Sequence, residues 1–157
     1  MTLNVAEYPH SFKRQVFLYE TDAFGHTNNV TFFQYMESAR FELMKELRLF
    51  DPANILSCNF ILAHAECDYR QISRYNDTLV IYSRISQIKT SSFVVEHLII
   101  NEKTGNLVAI GKVVLVSYNH KKNRTEPLSQ KIKNRLKTKF ISVSLTECDL
   151  LSISMKS

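Results

Sequence analysis

The sequence predicts an α+β fold in which one antiparallel sheet wraps a single long helix. Three features predict it. Residues 30–47 repeat their apolar side chains at spacings of three and four, the period of a helix. From about residue 60 to Tyr118, apolar and polar residues alternate instead, the period of strands. The turns between those alternating stretches are too short for crossover connections, so neighbouring strands are expected to run antiparallel.

Residues 12–19, FKRQVFLY, read as a strand with mixed faces: Phe12, Arg14, Val16 and Leu18 on one side, Lys13, Gln15, Phe17 and Tyr19 on the other. The polar turn TDAFGHTNN follows. It holds Gly25, one of only three glycines in the chain, at a position expected to need a positive φ or a close approach by another group. Thr27, Asn28 or Asn29 can cap the helix that comes next. Its stripe is Phe32, Met36, Ala39, Leu43 and Leu47, widened by Phe33, Tyr35 and Met44, with Gln34, Ser38, Glu42 and Lys45 opposite. So broad an arc needs cover from more than one strand, which makes this helix the core element. Arg40 falls inside the arc and predicts a buried or intersubunit partner.

After a loop at residues 51–54 the alternation begins. In FILAHAECDYR, Ile61, Ala63, Ala65, Cys67 and Tyr69 share one face while Leu62, His64, Glu66, Asp68 and Arg70 share the other, as in a half-buried strand. The turn SRYND leads to a strand at 78–89, TSS to another at 93–100, and the loop NEKTGN to a third at 107–118. Ile132, Leu136 and Phe140, at spacing four, predict a short basic helix within 128–140. One domain is expected over 1–140, and the tail at 141–157 is expected to be an extra strand or partly disordered. A single apolar helix with one curved sheet around it is a hotdog arrangement. The runners-up are a two-layer α+β sandwich and a nuclear-transport-factor-like cone, although the cone usually begins with helices and this chain does not.

At 157 residues the chain is long enough for one domain with a real core. No apolar run approaches the ~20 residues of a membrane-spanning helix, and the N-terminal stretch lacks the apolar centre of a signal peptide. A cytoplasmic protein without a membrane span is expected. Cys58, Cys67 and Cys148 are odd in number and widely spaced, which suits free thiols. A nucleophilic cysteine with His64 or His97 as its base is disfavoured, because buried cysteines are usually inert. The formal charge of +5 is local: residues 119–140 carry eight Lys and Arg against one Glu, and the rest of the chain has more acids than bases. That segment reads as a solvated helix face, or as a field that attracts a phosphate-bearing ligand or an acidic carrier protein. Nucleic acid is not expected as a partner, since no recognition motif accompanies the charge.

Chemistry concentrates in one place. An acid, a glycine, a histidine and two asparagines precede the helix within eight residues, where the first helical N–H groups lack intrahelical partners. The run Y-E-T-D-A-F-G-H-T-N-N-V-T-F-F-Q-Y-M-E-S-A-R closely resembles the signature of hotdog-fold acyl-CoA thioesterases of the 4-hydroxybenzoyl-CoA thioesterase type. The likeness continues through A-E-C-D-Y-R-Q-I-S-R-Y-N-D-T-L and covers about residues 12–128. The stretch His26 to Asn29 is also similar to the loop motif of acyl-carrier-protein thioesterases.

The resemblance implies thioester hydrolysis at a subunit interface of a homodimer or homotetramer, with acyl-CoA or an acyl carrier protein as substrate carrier and no cofactor or metal. It implies Asp22 as nucleophile or general base and the helix N-terminus near Asn29 and Val30 as the group that binds the thioester carbonyl. His26 and Asn29 join Asp22 as candidate catalytic residues, and Gly25, Asn28, Val30 and Phe33 as candidate substrate-binding ones. Glu37, about two turns into the helix, is the reserve carboxylate, with an ion pair to Arg40 or Lys45 as the alternative. One branch of the family has a tyrosine and a histidine where this chain has Leu18 and Asn29. His64, Glu66 and Asp68 share a strand face, but nothing completes a metal-coordination set. The competing reading of the whole chain is a non-catalytic hotdog acyl-binding or assembly module.

Overall fold

The computed structural model describes residues 4–140; the tail expected to be an extra strand or partly disordered lies outside the described residues. Helix α1 spans Asn29–Glu46 and buries Phe32, Tyr35, Met36, Ala39, Leu43 and Met44, with Arg40 buried among them. Five strands cover it: β1 (His10–Gln15), β2 (Phe60–Tyr69), β3 (Thr78–Ile88), β4 (Ser92–Asn101) and β5 (Leu107–Asn119). They form one antiparallel sheet in the order β1-β3-β4-β5-β2, and a two-residue β6 (Arg124–Thr125) pairs with the end of β5. A short helix α2 (Gln130–Lys137) closes the described chain. This is the hotdog arrangement that the periodicities imply. No helix among the described residues is long and apolar enough to cross a membrane.

Three local expectations need correction. The strand expected over 12–19 ends at Gln15, because Val16 turns to exchange backbone hydrogen bonds with Asn76 and Asp77. The Glu20 carboxylate then accepts the Phe17 N–H and winds Leu18–Glu20 into a single 3-10 turn. Within β2 the register slips between Leu62 and His64, so Ala63 is exposed rather than on the buried face. Finally, β2 and β3 are joined by a short connection yet are not neighbours, since β2 pairs with β5. Arg70 and Gln71 both donate to Val108 O, and the 70–77 connection runs on past the sheet end to the loop before α1.

Along the helix-facing side of the sheet, His10, Ser83, His97, Gly111 and Cys67 stand in register across all five strands. Gly111 is needed for close packing: a Cβ there would lie 1.9 Å from Met36 Sδ. Ser83 and His97 are fully buried, and their side chains share a hydrogen bond of 2.9 Å. Burial, then the charges of Arg40 and His10, push the His97 imidazole down to about 3, so it stays neutral. This polar row divides the core. One apolar cluster, around Phe32, Met36, Ile81 and Ile99, lies toward the start of α1; a second, around Leu43, Phe93, Val113 and Leu136, lies toward its end.

The opposite sheet face carries a row of alternating charge, Arg84, Glu96, Lys112 and Glu66, on four adjacent strands. Arg84 is fully buried there between Glu96, Glu7 and the Tyr8 ring. At the far end of α1 the basic segment is only partly a solvated face. Leu136 is buried, Arg135 donates to Arg48 O, and Lys139 Nζ lies 2.7 Å from Glu46 and 2.9 Å from Pro9 O.

Candidate active site

The loop between β1 and α1 is built on a carboxylate that sequence reasoning missed. Glu20 is buried; its Oε2 accepts from Phe17 N–H at 2.7 Å and Tyr35 Oη at 2.8 Å, and its Oε1 from Arg14 Nη2 at 3.1 Å. Burial pushes this carboxyl up, but those three donors outweigh it and hold the group below the usual range. Burial and the adjacent carboxylate push the Tyr35 phenol well up, so it remains a donor. The backbone of Glu20 works as well: its carbonyl accepts from Asn28 N–H at 2.8 Å and from Thr31 Oγ1 at 3.3 Å. A glutamate two residues before Asp22 and six after Arg14 was the available signal, but ion pairing across a turn has no sequence period to reveal it.

Asp22 is half-buried and differently placed. Its Oδ1 accepts two backbone donors, Phe24 N–H at 2.9 Å and His26 N–H at 3.1 Å, while Oδ2 has no hydrogen bond among the described residues. The Asp22 N–H donates to His26 O at 2.8 Å and Gly25 N–H to Asp22 O at 3.0 Å. Such a tight return needs a left-handed residue, and Gly25 supplies it at φ +73°. The return is fixed from outside as well: Thr27 N–H donates to Ser73 O at 2.8 Å, the Thr27 and Ser73 hydroxyls are 2.6 Å apart, and His26 bridges to Arg74. The half-buried His26 ring makes no hydrogen bond among the described residues.

Asn28 caps α1, its Oδ1 accepting Val30 N–H at 3.0 Å and its carbonyl accepting Thr31 N–H at 3.0 Å. Of the two N–H groups expected to face a carbonyl, that of Val30 is therefore engaged. The Asn29 N–H has no acceptor among the described residues. The Asn29 side chain is exposed, and its carbonyl accepts from Tyr69 Oη at 3.0 Å, which ties β2 to the helix start. The Val30 side chain is exposed, and Phe33 is half-buried against the first core cluster. Asp22, Gly25 and His26 thus belong to one hydrogen-bonded turn, and Asn28 and Asn29 follow it directly as the N-cap and first residue of α1.

Other candidates stand apart. Glu37 is exposed and accepts from Arg40 Nη2 at 3.3 Å, about 12 Å along the helix axis from Asn29. Burial pushes the Cys67 thiol up to about 11, which makes it a poor nucleophile. Among the described residues no three His, Cys, Asp or Glu side chains gather as metal ligands. A cavity of about 490 Å³ lies at the opposite end of α1, between Leu49, Phe60, Tyr118, Lys121 and Ile132, and touches none of the loop residues.

The geometry can be set beside known proteins. A family model described as the thioesterase-like superfamily matches residues 16–136. Long-chain acyl-CoA thioesterase FadM of Escherichia coli is 23% identical over 118 residues, covering 75% of this chain and 89% of that protein. A thioesterase from Thermus thermophilus, solved in complex with coenzyme A and Zn, is 29% identical with a TM-score of 0.71, over 82% of this chain and 98% of that one. A 1,4-dihydroxy-2-naphthoyl-CoA thioesterase from Synechocystis shares the fold at a TM-score of 0.73 and 23% identity, over 81% of this chain and 94% of that one. With the family matched over most of its length and the hotdog fold in place, the chain belongs to the thioesterase-like superfamily as a thioester hydrolase.

Proposed function

We propose that this protein hydrolyses an acyl thioester, carried by coenzyme A or an acyl carrier protein, to free acid and thiol at the turn before α1. One observation carries the reading: Asp22 keeps one carboxylate oxygen on two backbone donors and the other unbonded among the described residues, in the same turn that ends at the unengaged Asn29 N–H. Fixing one oxygen aims the other. As general base, Asp22 takes a proton from water while the resulting hydroxide adds to the thioester carbon. As nucleophile, it adds directly, expels the thiolate and leaves a mixed anhydride for water to cleave. Either way negative charge develops on the carbonyl oxygen. The Asn29 N–H and the positive end of the α1 dipole stabilise that charge, and collapse breaks the C–S bond, the thiolate leaving to take up a proton.

Within this reading His26 orients substrate or relays a proton beside Asp22, Asn28 holds the helix start, and Val30 and Phe33 contact the acyl group. The names of the E. coli and T. thermophilus relatives favour coenzyme A as the carrier. Large apolar side chains stand exposed on the segments around the turn, among them Leu18, Tyr19, Phe24, Val30, Tyr69 and Tyr75, which supports a homodimer or homotetramer with the turn at a subunit interface. The test is thiol release across aromatic, short and long acyl thioesters, with Asp22→Asn alongside. Release that disappears in the folded variant supports the reading. Saturable acyl-thioester binding without thiol release by the native protein would replace it with an acyl-binding module.

A further inference from the structure

Two carboxylates lie two residues apart before α1, and the reaction proposed above uses only the second. Glu20 has every polar atom committed. Its side chain reaches β1 through Arg14, the 3-10 turn through Phe17 and the second turn of α1 through Tyr35. Its backbone N–H donates to Phe17 O at 3.0 Å, and its carbonyl holds the helix N-cap through Asn28 and Thr31. Asp22 follows on one side of this anchor, and the helix start at Asn29 is tied to it on the other.

We propose that Glu20 is a positioning residue for thioester cleavage, fixing the spacing between the Asp22 carboxylate and the Asn29 N–H; this rests on the thioesterase reading of the turn. The side chain does so by pinning the stretch that carries Asp22 to a helix residue, Tyr35, lying on the same α1 whose first N–H, that of Asn29, meets the substrate. A neutral amide in its place keeps the shape, but with its oxygen toward Phe17 and Tyr35 it sets an NH2 against the Arg14 donor, so that bond is lost and the charge that strengthened the others is gone. The turn then loses its fixed distance to the helix without losing either reacting group. A displacement of about 1 Å in such a site costs on the order of 100-fold in rate.

The test compares Glu20→Gln and Tyr35→Phe with the native protein in two measurements. In thiol release from an acyl-CoA that the native protein cleaves, Glu20→Gln is expected to lower kcat by about 10- to 100-fold with KM changed less than about threefold, and Tyr35→Phe to lower kcat by a smaller factor in the same sense. In hydrogen exchange without substrate, amides of residues 17–31 are expected to exchange about tenfold faster or more in Glu20→Gln, with those of β3–β5 unchanged, as the loss of charge-assisted hydrogen bonds implies. A kcat within twofold of native in folded Glu20→Gln overturns the positioning role while leaving the thioesterase reading intact. Faster exchange spread over the whole sheet also overturns it, since Glu20 would then be a general stability residue. If the native protein cleaves no acyl thioester, the function itself falls and the positioning role with it. That failure shows in the native protein, before any variant is compared.

Discussion

The two ends of α1 are treated in opposite ways. At its C-terminal end, beside the cavity at Leu49 and Ile132, the chain is held by tertiary ties: Leu47 N–H bonds to Leu43 O, Arg135 donates to Arg48 O, Lys139 and His10 both engage Glu46, and Leu136 fills the core beneath. At its N-terminal end Asn28 caps Val30, yet the Asn29 N–H is left without an acceptor among the described residues, and Asp22, seven residues earlier, keeps an oxygen unbonded among them. The difference supports the proposal that the reaction takes place at the N-terminal end. Side-chain ties at one end favour stability, and on the reading proposed above the groups left unbonded at the other end receive the substrate.

Changes at the two ends should therefore separate activity from stability. The largest effect is expected from Asp22→Asn, which preserves an acceptor for the Phe24 and His26 N–H groups but removes the charge; kcat should fall by about 10²- to 10⁴-fold with a melting curve close to native. Leu136→Ala, at the closed end, should do the reverse. It should lower unfolding stability in urea by about 2–5 kcal/mol and leave the specific activity of the folded fraction unchanged.

Between the ends, Gly111→Ala should force Met36 from its seat and lower stability by about 1–3 kcal/mol, readable as a fall in urea midpoint. Met36→Ala in the same chain should recover part of it. His97 sits at the same level. Its folded value is depressed to about 3, so from about pH 6.5 down to about 3 the unfolded chain binds a proton that the native one does not. Stability from this group is complete above that window and is lost as pH falls through it, by about 1.4 kcal/mol per pH unit. His97→Gln should flatten that part of the stability curve in urea titrations at several pH values. The smallest effect is expected from Asn28→Ala, a loss of about 1 kcal/mol from the open end, accompanied by reduced activity if the cap also orients the Asn29 N–H.

The open end was the more legible of the two in the sequence. Asp22, Gly25, His26 and the asparagines are contiguous, and cap chemistry and a scarce glycine mark a turn without any knowledge of tertiary contacts. Periodicity likewise yields α1 and the strands, because burial of one face imposes a period on local sequence. Glu20, Arg14 and Tyr35 were not legible as a group, since their pairing arises only when β1, the turn and α1 are brought together. Strand order was also hidden. The connection at 70–77 is as short as a hairpin's, and its passage to the loop before α1 depends on Thr27 meeting Ser73. The strand misread at 16–19 has the same origin, in the Glu20 contact to Phe17 N–H.

The polar row of His10, Ser83 and His97 has a further bearing on how the molecule breathes. Apolar clusters that meet along a continuous front melt together, whereas two clusters parted by hydrogen-bonded polar side chains have fewer shared contacts through which to cooperate. The half that includes Phe32 and Met36 is therefore expected to open at a lower free energy than the half that includes Leu43 and Leu136, which native-state hydrogen exchange would show as faster amide exchange toward the start of α1. On that expectation the row would act as a firebreak, confining local opening to the end of the protein that carries the proposed site.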